Sequence, residues 1–143
     1  MKRLHVNVKV DDLEASIRFY AALFAAEPTV TRPDYAKWML DDPRVNFAIG
    51  TCGSRPGIDH LGIQVETEAE LAEVYARLEQ AGGATLDEGE TTCCYAHSTK
   101  QWIEDPQGVA WETFLTHGEA AVYGHQRPEL PTAAASCAPA CCG

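Results

Sequence analysis

The sequence of 143 residues has no long hydrophobic run and few basic side chains. A membrane-spanning helix needs about 20 consecutive apolar residues, and residues 1–10 lack the apolar core of a signal peptide. We therefore expect a cytoplasmic protein. Eleven Lys and Arg stand against 21 Asp and Glu, a formal net charge of −10. Because such a surface repels phosphate and anionic lipid, we expect neither nucleic acid nor a membrane as a partner.

The chain does contain six cysteines, in a composition that is 45% hydrophobic and 22% charged. A chain of this length buries roughly 68–70% of its unfolded surface, so it folds without disulfide support. In a reducing compartment the cysteines are free thiols, which favours a metal or catalytic role over a disulfide framework. They are Cys52, the adjacent pair Cys93 and Cys94, and Cys137, Cys141 and Cys142 near the end of the chain.

One pattern of strands and a helix occurs twice. Residues 4–10 and 58–65 alternate apolar and polar side chains, as half-buried strands do. Asp11 with Glu14, and Thr67 with Glu70, are capping-box signatures that predict a helix after each strand. Three short strand-like segments follow each helix, near 27–31, 35–40 and 45–50, and near 84–88, 99–104 and 109–116.

The repeat predicts an α+β fold of two βαβββ modules, residues 2–52 and 57–117. Neither module is large enough to bury a sheet face alone. We therefore expect one domain, residues 1–117, in which a curved mixed sheet or incomplete barrel surrounds a metal site and the helices lie outside. Residues 118–143 are rich in Ala, Pro and Ser with little periodicity, and we expect a flexible, cysteine-containing tail.

Histidines occupy equivalent positions in the first strand of each module. His5 and His60 are 55 residues apart, and strand alternation places both on the polar face, opposite the face that packs under a helix. Glu112 lies within a strongly β-forming run, where a buried unpaired carboxylate would cost several kcal/mol. Each residue alone is explained by an ordinary strand histidine or ion pair. Together they predict a site for Fe(II), Mn or Zn with open coordination positions.

This arrangement resembles the vicinal oxygen chelate superfamily, which includes glyoxalase I, fosfomycin-resistance proteins and extradiol dioxygenases. The resemblance covers residues 2–117. Glyoxalase I usually carries a fourth, acidic ligand on the fourth strand of its first module. Aligning residues 45–48 with 109–112 puts Ala48 in that place, which favours an open site with three ligands over a glyoxalase.

Cys93 and Cys94 are adjacent, in the loop that leads to the seventh strand. Neighbouring cysteines form a disulfide only with strained geometry, so free thiols are expected. Thiolates select soft metals and metalloids. Two thiolates suit a metalloid atom that bonds to two sulfurs and retains one further substituent, as the arsenic of a trivalent organoarsenical does. The alternative is a pair of buried or incidental cysteines.

Three motifs follow one another along the chain: Thr-Cys-Cys-Tyr-Ala, Lys-x-Trp and Asp-Pro-x-Gly. Their order resembles that in the subfamily of arsenic–carbon bond lyases and cadmium-induced proteins. The resemblance implies an Fe(II)-dependent, dioxygenase-type lyase that uses O2 to convert methylarsenite and trivalent aromatic arsenicals to arsenite, conferring resistance. It also implies that the catalytic set comprises two cysteines that hold arsenic, Cys93 and Cys94, and three ligands of Fe(II), His5, His60 and Glu112. Candidate auxiliary residues are Tyr95, Lys100, Trp102, Cys137, Cys141 and Cys142.

Two other functions remain open. The first is a non-catalytic cytoplasmic protein that binds Cd(II) or As(III). The second is a fosfomycin-type thiol transferase with Mn or Zn in the same triad, although Lys9 and Lys100 alone build no obvious phosphonate pocket. Extradiol cleavage has little use for vicinal thiols. We expect His97 to be a loop residue. The tail thiols either capture metal or have no function. We expect the chain to be a monomer or a homodimer.

Overall fold

The computed structural model describes residues 1–53, 55–93, 95–121 and 128–130. These residues form two helices and eight strands. In chain order the elements are β1 (Arg3–Lys9), α1 (Leu13–Phe24), β2 (Val30–Arg32), β3 (Tyr35–Asp41), β4 (Arg44–Gly50), β5 (Gly57–Val65), α2 (Glu68–Ala81), β6 (Thr85–Cys93), β7 (Ala96–Glu104) and β8 (Ala110–Glu119). Neither helix has the length and apolar character needed to cross a bilayer.

The eight strands form one mixed sheet in the order β2-β3-β4-β1-β5-β8-β7-β6. Within the first module β1 pairs parallel with β4, and within the second β5 pairs parallel with β8. An antiparallel pairing of β1 with β5 joins the modules. The first strand of each module therefore lies at the centre of the sheet, and the predicted α+β fold of two βαβββ modules is confirmed.

One helix covers the outer face of each module. The apolar side of α1 packs on buried Trp38 and Phe47, and α2 places Leu71 and Val74 against β5 and β8. Burying an aliphatic or aromatic side chain of this size stabilises the fold by about 1.5–3 kcal/mol. Because these clusters lie under the helices, the inner face of the sheet is left for the polar side chains of the alternating strands.

The helix ends follow the predicted signals with one difference. Thr67 caps α2 and its side chain accepts the backbone N–H of Glu70, as the capping box predicts. At α1 the cap is Asp12, whose Oδ1 accepts the Ala15 N–H at 2.8 Å. The prediction that Asp11 begins this helix is therefore wrong by one residue, because the two adjacent aspartates compete for the same role.

The sheet curls until the hairpins at its two edges meet. The β2–β3 turn carries Asp34 and the β6–β7 turn carries Tyr95, at opposite ends of the strand order. The Tyr95 hydroxyl donates a hydrogen bond of 2.6 Å to Asp34 Oδ1. The sheet is thus the expected incomplete barrel with its helices outside. We call its concave side, onto which His5, His60 and Glu112 open, the chamber, and the end where Asp34 meets Tyr95 the mouth.

The β6–β7 hairpin is longer than its sequence pattern predicts. Cross-strand pairing continues to Cys93 and Ala96, so Cys93 is the last residue of a strand rather than a loop residue. Likewise, β8 continues to Glu119, two residues into the segment expected to be a tail. Cys94 lies outside the described residues, as do the tail cysteines Cys137, Cys141 and Cys142.

Candidate metal centre and thiol-bearing turn

Three side chains from three adjacent strands converge in the chamber. His5 Nε2 lies 3.2 Å from His60 Nε2, and Glu112 Oε2 lies 3.7 Å from the first and 3.3 Å from the second. All three residues are about 5% exposed or less. They reach one point because β1, β5 and β8 are neighbours in the sheet and the three side chains share its inner face.

The spacing of these donor atoms fits a metal ion. Donors about 2.1 Å from one ion, at tetrahedral or octahedral angles, would lie about 3.0–3.4 Å apart. The separations of 3.2 and 3.3 Å fall within this range, and the third, 3.7 Å, is slightly wider. Neutral imidazole with carboxylate is a donor set for Fe(II), Mn or Zn. His5, His60 and Glu112 could therefore hold a divalent cation.

The Nδ1 atom of each histidine is also within hydrogen-bond distance of an oxygen. His5 Nδ1 donates to the Asn46 backbone oxygen at 3.0 Å, and His60 Nδ1 lies 2.6 Å from Asp59 Oδ2. A carbonyl or carboxylate that accepts a hydrogen bond from Nδ1 orients the imidazole and directs Nε2 toward a metal, as is usual for metal-binding histidines. Both rings are therefore preorganised for binding through Nε2.

A β-bulge explains why Asp59 reaches its neighbour. In the β1–β5 ladder Asn7 pairs with His60 and Val8 pairs with Ile58, so Asp59 is the extra residue of the bulge. Strict alternation would have turned Asp59 to the opposite face from His60. The sequence analysis missed Asp59 for this reason, and only its adjacency to a candidate ligand could have indicated it.

Lys100 completes the charge balance of the site. Its ammonium, itself 3% exposed, lies 2.5 Å from Glu112 Oε1. Oε1 is thus occupied by Lys100, and Oε2 alone faces the histidines. Burial alone would raise the pKa of Glu112, but Lys100 and the two imidazoles hold the pKa well below its ordinary value of 4.5. The carboxylate is therefore ionised and directed to bind an ion through one oxygen.

The pKa values of the two histidines shift in opposite directions. Burial lowers the pKa of His5 to about 4, so its Nε2 lone pair is free at neutral pH. Burial also disfavours the charged form of His60, but Asp59 and Glu112 outweigh burial and raise the pKa of His60 above 6.5. A proton on His60 Nε2 would therefore compete with a cation for the same lone pair.

Apolar side chains enclose the triad. The Phe114 ring meets the His5 ring edge-on at 5.1 Å, and the Trp102 ring meets His60 edge-on at 5.0 Å. The Trp102 indole N–H donates to Glu88 at 2.5 Å. These buried rings exclude bulk water from the ligands and strengthen electrostatic interactions there. Trp102, a candidate auxiliary residue, thus contacts a member of the triad.

The ladder registers support the position assigned to Ala48. Asn7 pairs with Ala48 in β1–β4, and Gly62 pairs with Glu112 in β5–β8. Because Asn7 and Gly62 are 55 residues apart, as the histidines are, Ala48 occupies the place equivalent to Glu112. Alanine offers no ligand atom, so the first module would contribute one metal ligand and the second would contribute two.

Buried amide oxygens lie on the same inner face. The side-chain oxygens of Asn7 and Asn46 have no hydrogen-bond partner among the described residues. Asn7 is two residues from His5 on β1, and Asn46 pairs with His5 across the β1–β4 ladder. Buried acceptors are normally satisfied, and a hydrated cation in the chamber is a source of suitable donors. The polar lining therefore also fits a metal.

Cys93 lies toward the mouth, on the same face of the β6–β7 hairpin as Lys100. Gly89 pairs with Lys100, and the register is regular from there to the pair Cys93–Ala96. Cys93 is four residues beyond Gly89, about 13 Å along the strand. Tyr95 follows in the turn with a left-handed φ of 61°. The thiol-bearing turn is therefore at the chamber entrance rather than beside the triad.

His97 is in β7 rather than in a loop, contrary to expectation, because the hairpin is longer than predicted. It is exposed, and its Nδ1 lies 2.8 Å from Thr92 Oγ1. It borders a groove that does not include the triad, together with Glu90, Thr91, Thr92, Ser98 and His117. The structure therefore does not bring His97 to the metal-binding residues.

Comparison with known proteins gives both a superfamily and similar individual proteins. Residues 2–113 match the Glyoxalase/Bleomycin resistance protein/Dioxygenase superfamily. A "Trivalent organoarsenical cleaving enzyme" of Bacillus sp. (strain MD1) is 45% identical over 119 residues, which are 81% of this chain and 74% of that protein. The "Cadmium-induced protein CadI" of Mycobacterium tuberculosis (strain ATCC 25618 / H37Rv) is 37% identical over 128 residues, 87% of this chain and 82% of that protein.

Solved structures share the fold. An extradiol ring-cleaving dioxygenase from B. fuscum superposes with a TM-score of 0.61 at 16% identity, over 82% of this chain and 33% of that chain. An identity this low supports the architecture alone. Together, the two βαβββ modules, the match over residues 2–113 and a relative at 45% identity show that this chain belongs to the Glyoxalase/Bleomycin resistance protein/Dioxygenase superfamily.

Proposed function

We propose that this protein is an Fe(II)-dependent, dioxygenase-type lyase that cleaves the carbon–arsenic bond of trivalent organoarsenicals and releases arsenite. One observation carries the proposal: a buried site with three converging donors and a cysteine-bearing turn open onto one chamber. The names of the similar proteins support the substrate class. The edge-on rings and buried polar lining support chemistry shielded from water.

In this proposal His5, His60 and Glu112 hold the iron. When bound, Fe(II) supplies redox chemistry with O2, and three protein ligands leave positions open for other groups. The protein supplies the orientation. Asp59 fixes the His60 ring, and Lys100 occupies one oxygen of Glu112 so that the other faces the ion. Phe114 and Trp102 keep water from the ligands.

Cys93 and Cys94 bind the arsenic through two sulfurs and leave the carbon substituent directed into the chamber. Holding a reactant in a fixed orientation is worth several kcal/mol of a reaction barrier. Cys93 lies about 13 Å along the strand from the position that pairs with Lys100. The turn must therefore bend inward to bring the bound arsenical to the triad. The bulge at Glu88, followed by Gly89 with φ 59°, interrupts the ladder where such bending is easiest.

The overall reaction balances with O2 as the oxidant. One methylarsenite and one O2 together contain the atoms of one arsenite and one formaldehyde. The carbon–arsenic bond breaks, the methyl carbon is oxidised and O2 is reduced. For an aromatic arsenical the same thiolate binding applies, with a ring in place of the methyl group. Both substrates and O2 are small molecules that reach the chamber through the mouth.

A second candidate is a non-catalytic Cd(II)- or As(III)-binding protein. Similarity to proteins named cadmium-induced supports it, and the six cysteines offer soft ligands. Both candidates use the thiols. Only the lyase needs the triad and O2, so consumption of O2 separates them.

The test combines arsenic speciation, O2 uptake and iron content. Wild-type protein loaded with Fe(II) should consume O2 and release arsenite and formaldehyde from methylarsenite. Cys93→Ser and Cys94→Ser should retain iron and lose turnover, because only the arsenic ligand is removed. His5→Ala should lose both iron and turnover. A control with Cys137, Cys141 and Cys142 replaced by Ser should retain cleavage.

Two outcomes would overturn the lyase. Unchanged turnover in both Cys93→Ser and Cys94→Ser would refute the thiolate role. Arsenical binding by the iron-loaded wild type with no O2 uptake and no arsenite would instead support the binding protein.

A further inference from the structure

One carboxylate joins three segments at the mouth of the barrel. Asp34, in the β2–β3 turn, accepts the Tyr95 hydroxyl on Oδ1 at 2.6 Å. Its Oδ2 accepts the Cys52 thiol, from the segment after β4, at 3.4 Å. Asp34 and Tyr95 are 61 residues apart in the chain. The contact therefore ties the two edge hairpins of the sheet across the chamber entrance.

Tyr95 has further contacts with the same side of the mouth. The Arg32 guanidinium lies 5.6 Å from the centre of the Tyr95 ring, and the Tyr35 ring lies 5.8 Å away. The Ala120 N–H donates to the Tyr95 carbonyl at 2.7 Å. A non-glycine residue at φ 61° is uncommon and is held by its surroundings. Tyr95 is thus a fixed point in the turn.

We propose that Asp34 is a positioning residue which, through Tyr95, sets where the thiol of Cys93 lies at the chamber entrance. This inference rests on the proposed function, because it assigns a task to the turn that binds arsenic. Tyr95 follows Cys93 by two residues in the chain, so a contact that fixes Tyr95 restrains the turn that begins at Cys93. Without Asp34 the turn would be held on fewer sides, and its two thiols would meet one arsenic atom less often.

Cys52 and Tyr95 both donate a hydrogen bond in this contact. Burial raises the pKa of the Cys52 thiol, and the hydrogen bond to Asp34 adds to the effect. Cys52 therefore stays a protonated thiol at neutral pH rather than a nucleophilic thiolate. The hydrogen bond to Asp34 likewise raises the pKa of Tyr95. Asp34 therefore accepts hydrogen bonds from two protonated donors, and the contact joins the two hairpins.

The experiment measures binding of phenylarsine oxide to the metal-free full chain, by titration at pH 7. All proteins carry Ser at Cys137, Cys141 and Cys142, so that the tail thiols do not contribute. Asp34→Ala should weaken binding about five- to tenfold, as expected for loss of a hydrogen bond to a charged group at a partly exposed site. Tyr95→Phe, which removes one hydroxyl only, should weaken binding by a similar factor.

Three controls separate positioning from a general structural effect. The Asp34→Ala/Tyr95→Phe double variant should bind no more weakly than either single variant, because both lose the same contact. Asp34→Asn retains an acceptor oxygen and should restore part of the affinity. Asp41→Ala removes an exposed carboxylate paired with Arg3 and should leave arsenical affinity unchanged. Metal affinity should be unchanged in Asp34→Ala.

The inference is wrong if Asp34→Ala and Tyr95→Phe bind phenylarsine oxide as tightly as their background, or if their effects are fully additive. Failure of the proposed function has a different signature, namely no arsenite from wild-type protein with Fe(II) and O2. In iron-loaded enzyme, Asp34→Ala should raise KM for methylarsenite by the same factor with a smaller change in kcat. A fall in kcat alone would contradict the positioning role.

Discussion

Replacing Lys100 with methionine tests the charge balance of the triad. The Lys100 ammonium and the Glu112 carboxylate are both nearly inaccessible to solvent and lie 2.5 Å apart. Methionine fills a similar volume but leaves Glu112 without its nearest cation. In the metal-free protein the nearest remaining group is the His60 imidazole, 3.3 Å from the other carboxylate oxygen.

The expected loss is large in the metal-free protein. Removing one member of a buried ion pair costs about 3–5 kcal/mol, and the partial compensation by His60 favours the lower end of that range. A chain of this length loses about 3 °C in Tm per kcal/mol, so Tm should fall by roughly 10 °C. A bound divalent cation would supply the missing positive charge. The cation should therefore raise the Tm of Lys100→Met by more than it raises that of the wild type.

The assay is thermal unfolding of wild type, Lys100→Met and Lys2→Met, each without metal and with saturating Mn(II). Lys2 forms an ion pair with Glu73 at the surface, so its loss should cost less than about 1 kcal/mol with or without metal. A Lys100→Met protein that melts with the wild type would refute the assigned charge balance. An equal deficit with and without Mn(II) would refute the compensation by metal.

Three further predictions concern the same centre. Asp59→Asn should lower metal affinity roughly 10- to 100-fold with the fold intact, because Asp59 orients His60; unchanged affinity in a metal competition assay would contradict this. Since Asp59 and Glu112 raise the pKa of His60 and so favour a proton on this ligand, metal affinity should rise as pH increases through that pKa and then level off. His5, with a pKa of about 4, should add no pH dependence near neutrality. Calorimetry of metal binding in buffers of different ionisation enthalpy would detect the release of a proton from His60. Binding without proton release at any pH would refute the raised pKa of His60. Gly62→Ala would place a Cβ 2.4 Å from a backbone oxygen of β8 and should destabilise the fold by about 1–3 kcal/mol, whereas Gly118→Ala, with no atom within 4 Å of its Cβ, should not.

Much of the fold and the convergence of the triad could be predicted from strand periodicity. Alternation in β1 and β5 placed His5 and His60 on one face, and the 55-residue repeat made their positions equivalent. Glu112 followed from the cost of burying an unpaired acid. The structure brings their donor atoms within 4.8 Å of one another. The placement of the two histidines depends only on a two-residue period and on the pairing of equivalent strands. The placement of Glu112 depends on the need of a buried carboxylate for a partner.

The parts that escaped prediction depend on irregular or long-range contacts. Asp59 reaches His60 through a bulge, which alternation does not anticipate. Asp34 meets Tyr95 only because the whole sheet curls. The length of the β6–β7 hairpin was also not predicted. Residues 89–93 are a glycine, an acid, two threonines and a cysteine, so they lack the alternating apolar pattern of a strand. Cross-strand pairing, not local pattern, extends this hairpin.

The most direct test of the account is arsenic X-ray absorption on Fe(II)-loaded protein mixed anaerobically with one equivalent of methylarsenite, measured before and after O2 is admitted. Before O2, arsenic should be bonded to two sulfurs and one carbon. After O2, the arsenic–carbon shell should disappear while the arsenic remains trivalent. An arsenic–carbon bond that survives exposure to O2, or arsenic without sulfur neighbours before it, would contradict the account.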